Sequence, residues 1–410
     1  MADNTHYESV GSGLNNSLEK SKQRSNRSKW IVLGSIITLV ALIAVGVGVG
    51  VSVSNNNKNK NNNDLSSSSS SSSGSNSTDS SSSDANPPKQ TDPNDPSTFV
   101  KDPNLKQSFY GMAYTPEGSL LPDCGNSLDA VIHDIQVMSQ LTKRVRLYGA
   151  DCNQSALVLE AIKQTKVDME VFLGNYPTPD DETAYTRQRD TIKSAIQTYG
   201  TDHIAGITVG NEYILNYLNA HGATDPNSAV GNTGGEQLVA DINDTRSMLN
   251  DLKLSKTIPI GNSDAGSYFN NLVLEAVDYG LSNVHPWFAN TTIQDAASWT
   301  ATFFEETNVQ PAAQLPNKPK MYIAETGWPS QSSDAGNANN GASDASEANL
   351  QIFLDNFVCQ ANTNGTGYFF FEFTDEPWKD KLYGGVEGHW GLFHSNRTLK
   401  RITIPDCPAP

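Results

Sequence analysis

Hydropathy divides the chain into three regimes. Residues 30–53, WIVLGSIITLVALIAVGVGVGVSV, carry no charge. As a helix rising about 1.5 Å per residue they would reach roughly 36 Å, enough for a bilayer core of about 30 Å. The basic cluster Lys20, Lys22, Arg24, Arg27 and Lys29 precedes them, and only Lys58 and Lys60 follow nearby. That bias predicts a cytoplasmic tail (1–29), a membrane-spanning signal anchor (30–53) and an extracellular remainder, a single-pass type II arrangement. The apolar run is too long, and too far from the N-terminus, for a cleaved signal peptide. A buried core helix is the other reading. Residues 54–103 form an Asn-Lys run, a Ser run and a Pro-rich end with almost nothing apolar to bury. They predict a disordered stalk spanning about 40 Å.

From Lys106 onward the pattern changes. Short apolar runs at 108–113, 144–148, 169–174, 204–210, 258–261, 283–285, 321–324 and 368–373 read as eight strands buried on both faces. Amphipathic stretches at 128–141, 156–164, 182–199, 236–252, 268–279, 293–307 and 346–362 separate them. In the first, Leu128, Val131, Ile132, Ile135 and Met138 share one stripe behind a Ser127 cap, and Val137 and Leu141 widen the apolar face. Strand-helix alternation of this length predicts an α/β fold, a (β/α)8 TIM barrel over 104–410, closing with a reduced last segment.

In such a barrel the residues after each strand share one rim. Here they are Tyr114, Tyr148, Asn175 and Tyr176, Asn211 and Glu212, Asn262 and Asp264, His285 and Trp287, Glu325 and Trp328, then Glu372, Asp375, Glu376 and Trp378. The runs IAGITVGNE and KMYIAETGWPS each end a buried strand on a glutamate, Glu212 and Glu325. Two carboxyl groups meeting on one rim suit glycosidic bond cleavage, which needs a proton for the leaving oxygen and an anion facing the anomeric carbon. Asn211 could donate to a sugar hydroxyl, and Trp287, Trp328 and Trp378 offer flat apolar faces. Taken singly, either glutamate reads equally well as a helix cap.

Net charge is −17. A surface that acidic disfavours nucleic acid, so no nucleic-acid partner is expected. The histidines show no zinc spacing and no phosphate loop or Ser-His-Asp arrangement appears, so neither metal nor cofactor is expected. The four cysteines allow three disulfide pairings, or remain free thiols. Cys124 and Cys152 follow early strands on the same rim, which favours Cys124–Cys152, with Cys359–Cys407 stapling the C-terminus. Sequons on the outer side of the anchor, at Asn76, Asn153, Asn243, Asn290, Asn364 and Asn396, are glycosylation candidates.

GNE after an apolar strand, with ETGWPS more than a hundred residues on, resembles glycoside hydrolase family 17, the β-1,3-glucanases. VRLYGADC, NVHPWF, FFFEFTDEPWK and HWGLFHSNRTLK resemble its fungal branch, over about residues 109–400. Anchor and stalk resemble the membrane-anchored fungal endo-1,3-β-glucosidases. The resemblance implies a retaining enzyme with Glu212 as acid/base and Glu325 as nucleophile. It implies Asn211, Tyr148, His285 and Trp328 at the −1 sugar, and Glu372 and Trp378 shaping the cleft, with Tyr114 on the same rim. Plant members carry Tyr where this chain has His285. The implied substrate is β-1,3-glucan at the cell membrane and wall. A glucanosyltransferase on the same polymer, a non-catalytic glucan-binding wall protein and a barrel acting on β-1,4 chains remain as alternatives.

Overall fold

The computed structural model describes residues 89–179 and 181–409. The expected tail, the 30–53 segment, stalk residues 54–88 and Asn76 lie outside the described residues. Among the described residues, no helix is long and apolar enough to cross a membrane.

Eight parallel strands close into a barrel in chain order: β1 (Gly111–Ala113), β2 (Arg144–Arg146), β3 (Glu170–Asn175), β4 (Ile204–Asn211), β5 (Ile260–Ala265), β6 (Tyr279–Asn283), β7 (Lys320–Thr326) and β8 (Tyr368–Phe370). β8 pairs back onto β1 through Phe370 and Met112. Around them run α1 (Leu128–Met138), α2 (Gln154–Thr165), α3 (Glu182–Tyr199), α4 (Tyr213–Ala220), α5 (Ala229–Asp251), α6 (Asn271–Ala276), α7 (Ile293–Phe304), α8 (Glu347–Thr363) and α9 (Pro377–Tyr383). α7 runs on through a π turn, Glu305–Val309, and one further turn. Side-chain caps start the longer helices where the sequence offers them: Ser127, Ser228, Thr292 and Ser346 each accept a first-turn N–H.

The barrel is filled, not hollow. Phe172 meets Tyr279 at 5.5 Å and Phe369 at 5.2 Å between ring centroids, both edge to face. Gly261 makes room for this layer, since a Cβ there would lie 2.1 Å from the Tyr279 ring. An aromatic floor therefore sits below the carboxyl ends of the strands and leaves the polar side chains above it.

Three expectations shift. The sixth strand is Tyr279–Asn283, four residues before the expected 283–285, and the helix expected at 268–279 shrinks to Asn271–Ala276. YGLSN has few apolar residues because Gly280 lies against Met321, where a Cβ would sit 2.6 Å away. α4 follows β4 directly and was hidden by its shortness, and α5 begins seven residues before 236 across the pair Gly234-Gly235. Gly234 packs against the Tyr217 ring, where a Cβ would lie 2.7 Å away, so tertiary contact overrides poor helix propensity.

Residues 89–103, expected within the disordered stalk, are folded onto the barrel. Gln90 and Phe99 form an antiparallel bridge. Gln136 of α1 donates to Pro96 O at 2.9 Å, and Asp102 N donates to Gln140 at 2.7 Å. The disulfides are Cys124–Cys152, tying the β1 and β2 loops, and Cys359–Cys407, tying α8 to the tail. The barrel closes with α9 and an extended segment in which Phe393 bridges Thr374 and Leu399. The sequon residues Asn153, Asn243, Asn290, Asn364 and Asn396 are all exposed.

Candidate functional site

β4 ends in a backbone contortion that aims Glu212. Gly210 has φ 90° and Glu212 φ 55°, the left-handed region, at the N-terminus of α4. For a residue other than glycine this conformation costs about 1–2 kcal/mol and persists only where neighbours fix it. They do so here. Glu212 N donates to Ser263 O at 3.1 Å, and Glu212 O accepts from Asn216 N at 3.0 Å. Fully buried Asp264 of β5 accepts from Ile214 N at 2.9 Å, capping α4 from below. The Glu212 carboxylate accepts from Asn283 Nδ2 at 3.0 Å. Burial first, and then the negative charge of Glu325, raise its pKa to about 7.

The end of β7 is the electrostatic opposite. Glu325 is 6 % exposed. Its Oε1 accepts from Arg146 at 3.1 Å and its Oε2 from His285 Nε2 at 3.0 Å. Burial alone would raise its pKa; the His285 hydrogen bond and the Arg146 and Lys379 charges overcome that and hold it at about 2. Arg146, 1 % exposed, reaches up from β2 and also donates to Asn211 Oδ1 at 2.6 Å and Ser263 Oγ at 2.8 Å. Its guanidinium lies 4.2 Å from the Tyr148 ring centroid. A buried cation thus joins β2, β4, β5 and β7 at one point.

After β8, Lys379 bridges Glu372 at 2.7 Å and Glu376 at 2.9 Å and lies 4.6 Å from the Phe371 ring centroid. Burial, and then the Glu376 charge, push the Glu372 carboxyl well above its usual range. Lys379 and Phe371 wall a cleft of about 570 Å³ that holds Glu212, Glu325, Asn211, Tyr148, His285 and Trp378. The buried Tyr148 hydroxyl and His285 Nδ1 have no hydrogen-bond partner among the described residues. The same cleft contains one carboxyl whose proton is retained and one whose proton is lost over a wide pH range.

Four residues expected at the sugar do not line the cleft: Trp287 (5 % exposed) and Glu372 (2 % exposed) are buried beside it, and Trp328 and Tyr114 turn away from it. Trp328 is fully buried; its indole N–H donates to Asp344 O at 3.0 Å and its ring meets Trp287 edge to face. Tyr114, 2 % exposed, donates to Asp134 at 2.8 Å. Both hold the rim from behind, because their polar atoms already have partners in the fold. Conversely, Arg146, Tyr176, Asn283, Phe288, Lys379, Glu387 and Trp390 shape the site, and of these the sequence had placed only Tyr176 on the rim. The signal for Arg146 was present: a cation inside a strand of a barrel core has to be paired. Among the described residues no group of His, Cys, Asp and Glu is arranged to hold a metal ion.

A sequence profile described as the BtgE/BtgC glycoside hydrolase domain matches residues 111–391. The putative glucan endo-1,3-beta-glucosidase btgC of Aspergillus niger is 36 % identical over 77 % of this chain and 46 % of its own length. The glucan endo-1,3-beta-glucosidase btgC of Emericella nidulans is 35 % identical over 74 % of this chain and 47 % of its own. The chain thus spans just under half the length of these curated relatives. Among solved structures, a glycoside hydrolase family 17 beta-1,3-glucanosyltransferase from Rhizomucor miehei is 25 % identical with a TM-score of 0.58, over 73 % of this chain and 99 % of that one. An endo-laminarinase from Formosa, 19 % identical with a TM-score of 0.58 over 73 % of this chain and 91 % of that one, shares the fold.

Proposed function

Since the chain belongs to the BtgE/BtgC glycoside hydrolase domain family, within glycoside hydrolase family 17, we propose that it cleaves internal β-1,3-glucosidic linkages of cell-wall glucan with retention. One observation carries the reading: Glu325 is held ionised between Arg146 and His285 while Glu212, in the same cleft, keeps its proton up to about pH 7. Glu325 attacks the anomeric carbon as the glycosidic C–O bond breaks, and the Glu212 proton passes to the leaving oxygen. The product is a glycosyl ester on Glu325. Glu212, now ionised, takes a proton from water as that water attacks the same carbon and releases Glu325. Asn211, oriented by Arg146, and the Tyr148 hydroxyl are the groups proposed to hold the sugar, and His285 positions Glu325. Trp378 shapes the wall, and Glu372 anchors Lys379 beside it.

A second reading has the same first half. If a sugar hydroxyl replaces water at the ester, the enzyme is a β-1,3-glucanosyltransferase, the activity named for the Rhizomucor structure. Digestion of a β-1,3-glucan oligosaccharide ladder separates the two: hydrolysis gives only shorter chains, transfer gives chains longer than the starting one. An inert protein, bound to laminarin but releasing nothing, would leave a glucan-binding role. The uncharged 30–53 segment supports a type II membrane tether with the barrel on the wall side. Protease protection of the N-terminal tail in sealed right-side-out plasma-membrane vesicles tests that topology, and a tail digested from outside overturns it.

A further inference from the structure

The core-facing side of α7 is Ile293, Ala296, Ala297, Thr300 and Phe304, all buried. At about 100° per residue these positions form one stripe. Trp299 and Phe303 lie about a quarter-turn away from it. They are only half-buried, and they stack on each other at 4.9 Å between centroids with an interplanar angle of 20°. Both rings pack in part against the barrel core, and both also line the cleft that holds Glu212 and Glu325. The adjoining backbone is shaped for them: a Cβ on Gly266, at the end of β5, would lie 2.5 Å from the Phe303 ring.

Their position relative to the two carboxyls follows from the ring of strands. Glu212 and Glu325 end β4 and β7. Leu120, Leu121, Asp151 and Arg187 line the cleft from the loops after β1, β2 and from α3. β5 and β6, which carry Gly266 and α7, stand opposite β1 and β2 in a closed ring of eight. The cleft thus continues past the carboxyl pair to a stacked aromatic surface on its far side.

We propose that Trp299 and Phe303 form a distal sugar-stacking platform, taking the apolar face of a glucosyl unit beyond the bond being cleaved. This rests on the glucanase reading, and continuity with that cleft is what selects a glucan chain as occupant. An extended glucan offers ring faces that a flat, half-buried aromatic pair can cover. The platform would set a preference for longer chains, and so for internal cleavage.

The test is calorimetric binding of laminarihexaose and laminaribiose to Glu325→Gln, which lacks the nucleophile for the covalent step. The same measurement is made with Trp299→Ala or Trp299→Phe added. Hexaose affinity is expected to fall about tenfold with Ala, the worth of one aromatic contact. It should be largely kept with Phe, and laminaribiose binding should not change. Equal hexaose affinity with and without Trp299, or equal losses for both sugars, overturns the platform. Thermal melting of the Ala variant within a few degrees of its parent separates lost contact from lost fold, and Trp299→Phe decides where it does not. Wild-type protein that leaves laminarin intact yet shows these binding differences would overturn the hydrolase reading and keep the platform.

Discussion

The ends of β4 and β7 put the same side chain into two environments of opposite sign. Glu325 faces Arg146 and His285; Glu212 faces one neutral amide, Asn283, and the charge of Glu325 itself. Burial raises both carboxyls, so burial does not distinguish them. The difference is a cation within hydrogen-bonding reach of Glu325, Arg146, which also fixes Asn211. A barrel achieves this because strands distant in sequence, β2 and β7, both deliver side chains to its interior.

The severest way to break the comparison is to remove the charge of Glu325. Glu325→Gln is expected to lower turnover of laminarin by about 10⁴-fold or more, since the covalent step is lost. Glu212→Gln should cost less, about 10²–10⁴-fold, because it removes proton transfer and leaves the nucleophile. Wild-type turnover in either variant, measured as reducing ends released, removes the assignment.

A subtler intervention moves the boundary between the two environments. With Glu325 at about 2 and Glu212 at about 7, kcat/KM should fall below pH 2 as Glu325 gains a proton and above pH 7 as Glu212 loses one. Arg146→Met keeps the bulk and removes the cation. The acidic limb should then move to higher pH, because Glu325 loses a charge that held it ionised. An acidic limb that stays in place would mean that Arg146 organises Asn211 and Ser263 without tuning Glu325.

Much of this pair was legible in the sequence, and the reason is local. Each glutamate ends an apolar run, so one short segment declares both strand and rim. Asn211 and His285 were legible for the same reason. Trp328 and Tyr114 were misplaced because a rim position does not say which way a ring turns. Trp328 turns into the fold to reach Asp344 O, and Tyr114 to reach Asp134. Asn283 and Lys379 sat inside NVHPWF and FFFEFTDEPWK with no role assigned, and Trp299 carried no recognisable pattern, since each acquires its meaning only in the fold. Glu372 finds Lys379 across the turn after β8, and Trp299 meets the cleft only because α7 turns that side of the helix towards it. The strand at Tyr279–Asn283 was missed on other grounds. Its glycine and serine satisfy packing against Met321 and a hydrogen bond from Ser282 to Asn308 at 2.8 Å, and neither looks like a strand residue in isolation.

The finest test of the comparison is stability, where the same change should act in opposite directions at the two sites. Glu212 has a folded pKa of about 7 against a usual 4.5. Between those values the folded protein keeps a proton that the unfolded chain has released, so stability falls as pH rises through this window, and the full cost is present above pH 7. Glu212→Gln removes the cost and should raise stability at pH 8 by about 1–3 kcal/mol, a partly exposed group giving less than the full shift. At pH 4 it should change little. Glu325 is the reverse, about 2 against 4.5. Its contribution is present above pH 4.5 and is lost as pH falls towards 2. Glu325→Gln should therefore cost about 1–3 kcal/mol at pH 8, leaving Arg146 and His285 facing a neutral amide, and the deficit should shrink in acid. Melting curves of both variants at pH 8 and pH 4 decide the matter. Two shifts of the same sign at pH 8 would mean that the neighbours of these carboxyls, and not their charges, set what each contributes to the fold.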